Sequence, residues 1–108
     1  KRQSISRTTI NGTLVFIENS IALVKSDQKL LKIIIPARLF DGERVSTPQD
    51  LIFLGEIRKG DTLSIKAINI SISSKESGLI ASIYLALEIY DLTTGKNFTT
   101  LIPINLTN

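Results

Sequence analysis

The sequence predicts an all-β domain, on three observations. Apolar residues come in short runs that alternate with polar ones, the two-residue period of a strand. Turn-forming clusters separate those runs. Isoleucine, stiff at its first side-chain torsion and suited to a pleated surface, occurs 18 times in 108 residues. The expectation is six or seven antiparallel strands with at most one short helix near residues 48–54. Residues 1–7 are polar and read as a loosely ordered tail. Residues 8–108 read as one domain, because two halves of this length would each be too small to bury a core.

The elements follow in order. Thr13–Ile17, Ile21–Lys25 and Leu30–Ile35 read as three strands, apolar on both faces. Glu18-Asn19-Ser20 and Ser26-Asp27-Gln28 are the turns between them, short enough to force antiparallel neighbours. Pro36 ends the third strand, since it cannot donate to a ladder. Residues 37–47 are a long polar stretch. Thr47-Pro48-Gln49-Asp50 then has the order of a helix start: a hydroxyl cap, a proline at the first position and an acid in the first turn. A helix over Pro48–Leu54, closed by Gly55, competes here with a strand over Leu51–Leu54.

Lys59-Gly60-Asp61 turns the chain into a long strand, Thr62–Ser73. Its alternation slips: Leu63 and Ile65 point one way, Ile68, Ile70 and Ile72 the other. A bulge or a sheet-to-sheet crossing near Ala67 is expected. Lys75-Glu76-Ser77-Gly78 reads as a hairpin turn. Ile80–Tyr90 is the clearest strand. Ala81, Ile83, Leu85, Leu87 and Ile89 form its apolar face; Ser82, Tyr84, Ala86, Glu88 and Tyr90 form the other. Thr93-Thr94-Gly95-Lys96 turns the chain again. Phe98–Ile104 is the last strand, placed at an edge by Pro103.

Two architectures accommodate this order. The first choice is an antiparallel two-sheet sandwich, similar to the immunoglobulin type. The alternative is a five-stranded barrel with a helix between its third and fourth strands, resembling the OB-fold.

The chemistry of the side chains is sparse. The chain has no His, Cys, Met or Trp. That removes histidine general bases, thiol nucleophiles, disulfides and zinc fingers. The remaining acids, lysines and tyrosines form no recognisable catalytic pattern. Asp41 and Glu43 are a carboxylate pair beside Arg38 and Arg44, which reads as a solvated loop rather than a glycosidase site. Gly55 and Gly60 have no phosphate-loop spacing. No enzyme activity, cofactor or metal is expected.

Net charge is +3, with both signs interspersed and one basic block at Lys1, Arg2 and Arg7. No stretch approaches the ~20 apolar residues of a membrane span. Tyr84, Glu88 and Tyr90 share one predicted strand face, with Lys66 nearby. They are the candidate interaction surface, and the two tyrosines are the candidate stacking pair for single-stranded nucleic acid, with charge from Lys66 and Lys32. Most phenylalanines read as core.

Four of the six asparagines begin an N-x-[ST] sequon: Asn11, Asn69, Asn97 and Asn105. Such sequons accept glycans only on exported chains. Asn69 is expected to face outward, opposite the Ile68/Ile70/Ile72 face. A chain starting at Lys1 rather than Met reads as part of a longer or processed protein, with a membrane anchor, a signal or a partner domain expected upstream. A Lys- and Ile-rich chain without Cys or Met fits a thermophile or an AT-rich genome, and an archaeal source is expected.

The expected function is therefore a non-enzymatic structural or interaction module. It would be the soluble extracellular part of a cell-surface or appendage protein, acting by protein–protein contacts and able to form a homo-oligomer such as a dimer. The alternative is an OB-like barrel that binds single-stranded nucleic acid or serves as a cytoplasmic adaptor in a larger complex.

Overall fold

The computed structural model describes residues 2–76, 78 and 80–101. The described residues are all-β with one short helix. In order, the elements are β1 (Arg2–Glu18), β2 (Ile21–Ser26), β3 (Lys29–Ile34), β4 (Leu39–Phe40), β5 (Val45–Ser46), α1 (Pro48–Phe53), β6 (Thr62–Ser73), β7 (Ile80–Asp91) and β8 (Lys96–Thr100). Antiparallel ladders join β3-β2-β1-β6-β7, and a short parallel pairing of Ile33 with Tyr84 and Ile34 with Leu85 joins β3 back to β7. That last pairing closes a five-stranded barrel. β8 extends the sheet from β7, and β4 and β5 extend it from β8.

The two-sheet sandwich is thus corrected in favour of a barrel. The physical reason lies in two bulges that coil the strands. Against β2, β1 carries one extra residue, Val15, between the pairs Leu14–Val24 and Phe16–Leu23. Against β6, β7 carries one extra residue, Leu87, between Glu88–Lys66 and Ala86–Ala67. Bulges of this kind bend and twist a strand. Residues 2–7, expected as a tail, are the first part of β1, paired in unbroken register with β6 from Arg2–Ser73 to Thr13–Thr62.

The turns are those the residues favour. Asp27 and Gln28 both have positive φ (50° and 65°), the pair of left-handed residues that a two-residue hairpin requires. Thr47 caps α1: its Oγ1 accepts from Asp50 N–H at 3.1 Å, and Gly55 follows the helix in the left-handed region. Thr47→Ala is expected to lower stability by about 1 kcal/mol in urea unfolding, since it strips that N–H of its partner. The last described strand, β8, ends at Thr100; its expected continuation through Pro103, the Asn105 sequon and Ser77 of the β6–β7 turn lie outside the described residues.

The core fills the barrel. Ile10 and Leu14 of β1, Ala22 and Val24 of β2, Ile33 of β3, Leu63 and Ile65 of β6, and Ala86 and Ile89 of β7 are buried there. Leu51 of α1, with Leu39, Ile57 and Phe98, joins them. The Val15 bulge explains why Leu14 to Ile17 is apolar throughout. Leu14 and Ile17 turn toward the core, while Val15 and Phe16 remain 43% and 39% exposed.

Candidate functional site

The predicted interaction residues divide between two faces. Lys66 and Glu88 are cross-strand partners with Nζ and Oε1 3.6 Å apart, and Asn97 Nδ2 donates to Glu88 Oε2 at 3.1 Å. Tyr90 is exposed, two residues along β7 from Glu88. Tyr84 is not with them. The Leu87 bulge shifts the phase of β7, so Tyr84 follows Ala86 onto the inward side and packs against the core. The stacking pair of Tyr84 and Tyr90 is therefore corrected: they stand on opposite faces. The expected apolar face of β7 is corrected for the same reason. Ile89 is in the core, but Ile83 is 40% exposed.

The expected bulge near Ala67 is present, although its extra residue is in β7. β6 runs unbroken against β1, so its alternation slip is not repaired. Leu63, Ile65 and Ala67 turn inward, and Ile68, Ile70 and Ile72 take the opposite face, where Ile68 is nonetheless buried. Asn69 follows the inward set. Its Oδ1 is buried with no hydrogen-bond partner, which corrects the expectation of an outward side chain. Asn11 and Asn97 are exposed.

Most phenylalanines are not core. Phe98 is fully buried, whereas Phe16, Phe40 and Phe53 are 39%, 37% and 88% exposed. Phe16 lines a shallow groove of about 680 Å³ on the outer face of β1, β2 and β3, with Ile21, Leu23, Lys32 and Ile34 and the β1–β2 turn. The ammonium of Lys59 stands 5.6 Å from the Phe16 ring centroid. Cross-strand register sets this row, Phe16 beside Leu23 beside Lys32. The apolar run 14–17 contained a signal for it, but only the Val15 bulge decides which residues turn out.

A second surface comes from unequal strand lengths. β2 pairs with β1 only from Thr13 to Glu18, and β3 meets β7 only at Tyr84 and Leu85. The first part of β1, the last part of β6 and the first part of β7 therefore project from the barrel as a three-stranded arm. Ile5 pairs with Ile70 and Ile70 with Ile83, so three isoleucines form a row across the outer face of the arm. Ile5 is 61% exposed. The opposite face is polar: Ser4, Ser6, Ser71 and Ser82 lie on it, with the Ser71 and Ser82 hydroxyls 3.3 Å apart.

Several carboxylates hold turns or ion pairs. Asp41 Oδ1 accepts from the N–H groups of Glu43 and Arg44, both at 2.9 Å, and these bonds hold its carboxyl below the usual range. Glu56 receives Arg44 at 2.6 Å and Lys96 at 3.2 Å. Asp61 and Asp91 are buried together near one end of the barrel. Asp61 Oδ2 accepts from Arg58 N–H, and Asp91 Oδ1 accepts from Thr93 and Thr94 N–H, shaping the β7–β8 turn. Burial, and then the neighbouring Asp61 carboxyl, push Asp91 up to about 6. Among the described residues, no cluster of three or more acids has the placement to hold a metal ion.

Comparison of the chain with protein-family models, curated proteins and solved structures finds no match. The functional reading therefore rests on the surfaces themselves.

Proposed function

We propose that this chain is a non-enzymatic docking module, an OB-like barrel that binds protein through its projecting arm. The arm carries the reading. A strand edge that no described strand pairs with, and a row of isoleucines exposed at its two ends, Ile5 and Ile83, are features that soluble monomers usually cover, shorten or charge. Here they occur together on the element that stands away from the core. The OB-like description rests on strand order: a three-strand meander, a helix, then two strands that close on the first and third. An extracellular place, on a cell surface or appendage, is part of the proposal. The exposed sequons at Asn11 and Asn97 support it, and glycan mass on native material at either site is the expected observation.

One observation favours a second reading. OB-folds bind oligonucleotides across their second and third strands, and the Phe16 groove lies there with Lys32 and Lys59. The two readings separate in one experiment. A photo-crosslinking residue at position 83 is expected to give a discrete protease-sensitive adduct, in the native host, that the same residue at position 16 does not. A labelled single-stranded oligonucleotide is expected to bind no better than about 0.1 mM at physiological salt, the weak end of non-specific binding. Salt-dependent binding in the low micromolar range, lost in Phe16→Ala and Lys32→Ala, together with a nuclease-sensitive adduct at position 16, would replace the docking reading with the nucleic-acid one.

A further inference from the structure

The open edge of β1 has a defined hydrogen-bonding pattern. Leu14 turns its N–H and C=O toward the β6 side, to Asp61 O at 2.9 Å and Gly60 N at 2.8 Å. Asn11 turns its carbonyl the other way, where Ser26 Oγ donates to it at 2.7 Å. Along an antiparallel strand the two backbone groups of one residue point to the same side, and successive residues alternate. The register of β1 with β6 is unbroken through this stretch. Ile5, Arg7 and Thr9, and Gln3 before them, therefore present both N–H and C=O to the open edge. The even residues are committed to β6. Among the described residues, no strand pairs with this edge.

We infer that this edge pairs with the same edge of a second copy of the chain, antiparallel, about a two-fold axis at Ile5. The inference rests on the arm being the docking element and names its partner. Two identical strands related by a two-fold axis must run antiparallel, so only the register remains to be chosen. Centred on Ile5, the pairing sets Ile5 against Ile5 of the second copy, Gln3 against its Arg7 and Ser4 against its Ser6. Apolar meets apolar on one face, small hydroxyls meet on the other, and no like charges are opposed. Centred on Arg7, it would place two guanidinium groups side by side. Centred on Ser6, it would set Ile5 against Arg7. The Ile5 register also joins the two rows Ile83-Ile70-Ile5 end to end, giving six isoleucines across one continuous sheet. A polar or nucleic-acid partner would leave that row interrupted at the exposed Ile5.

Sedimentation equilibrium from about 1 µM to about 300 µM tests this, because a dimer obeys mass action. The wild-type protein is expected to shift from monomer to dimer across that range. Ile5→Pro removes an N–H that faces the open edge and none that bonds to β6, so the monomer should keep its circular dichroism. Ile5→Lys places two ammonium groups together at the axis and leaves the monomer's solvent-facing position polar. Each substitution is expected to weaken dimerisation at least tenfold. Where Ile5→Pro loses its fold, Ile5→Lys alone decides. A wild-type chain that stays monomeric throughout overturns the inference, as does a dimer that persists in the folded variants. A monomer that still gives the protein adduct at position 83 loses the second copy as partner but keeps the docking reading.

Discussion

Gly12→Ala is expected to lower the stability of the protein by about 3 kcal/mol or more, a large effect for one methyl group. The reason is the path of β1. At Gly12 the strand passes close to the end of β2 just before the two begin to pair. A Cβ at this position would collide with the Lys25 carbonyl oxygen and stand 2.8 Å from Val24 Cγ1. The obstacle is backbone, and Val24 is fully buried, so neither neighbour has room to retreat. Glycine within a strand often marks such a close approach. The backbone of Gly12 is not in the left-handed region, so the cost is steric rather than torsional. Denaturant unfolding checks it: the midpoint should fall with little change in slope. Gly95→Ala is the instructive contrast. A Cβ there meets nothing within 4 Å, and its penalty arises from a φ of 81°. A Gly12→Ala protein as stable as the wild type would mean that β1 and β2 do not approach as described.

The second large effect is a fall in stability as pH rises between about 4 and about 6. Asp91 is fully buried, and its Oδ2 has no donor facing it. Its neighbour is the carboxyl of Asp61, also an acceptor when ionised. A proton on the pair turns an acceptor–acceptor meeting into a hydrogen bond. The folded protein therefore holds this proton up to about pH 6, whereas an unfolded Asp releases it near 3.8. The folded state binds more protons between those values, so stability is greatest below the lower one and is lost as pH passes the upper one. The loss should be on the order of 2 kcal/mol. Asp91→Asn should abolish the slope. Its Oδ1 can still accept from Thr93 and Thr94, and its amide can donate to Asp61 at any pH. Urea unfolding at pH 4.5 and pH 7.5 is the measurement. An unchanged slope in Asp91→Asn would assign the pH dependence to other groups.

Much of the fold was legible because it depends on local chemistry. Thr47-Pro48 starts a helix wherever the following residues permit, and Asp27-Gln28 makes a tight turn between two apolar runs. Thr62–Ser73 was readable as one strand by the same logic. The slip at Ala67 was legible too, but its meaning was not. Ile70 and Ile72 stand where the strand has left the barrel, on the continuation of its outer face, while Ile68, opposite Leu85 at the closure, is buried on that face. The candidate surface fared differently. Tyr84 and Tyr90 share a parity in the sequence, and a single extra residue, Leu87, placed them on opposite faces. Phe16 reads as core in an apolar run and is turned out by Val15 in the same way.

The amino-acid order by itself determined the all-β class, the helix at Pro48, the main turns and the absence of His and Cys chemistry, because these follow from each residue and its near neighbours. Closure of the barrel through Ile33–Tyr84, the projecting arm and the open edge of β1 were decided only in three dimensions. They depend on how far each strand outlasts its partner and on which strand takes up a bulge, and both are settled by contacts between residues far apart in the chain.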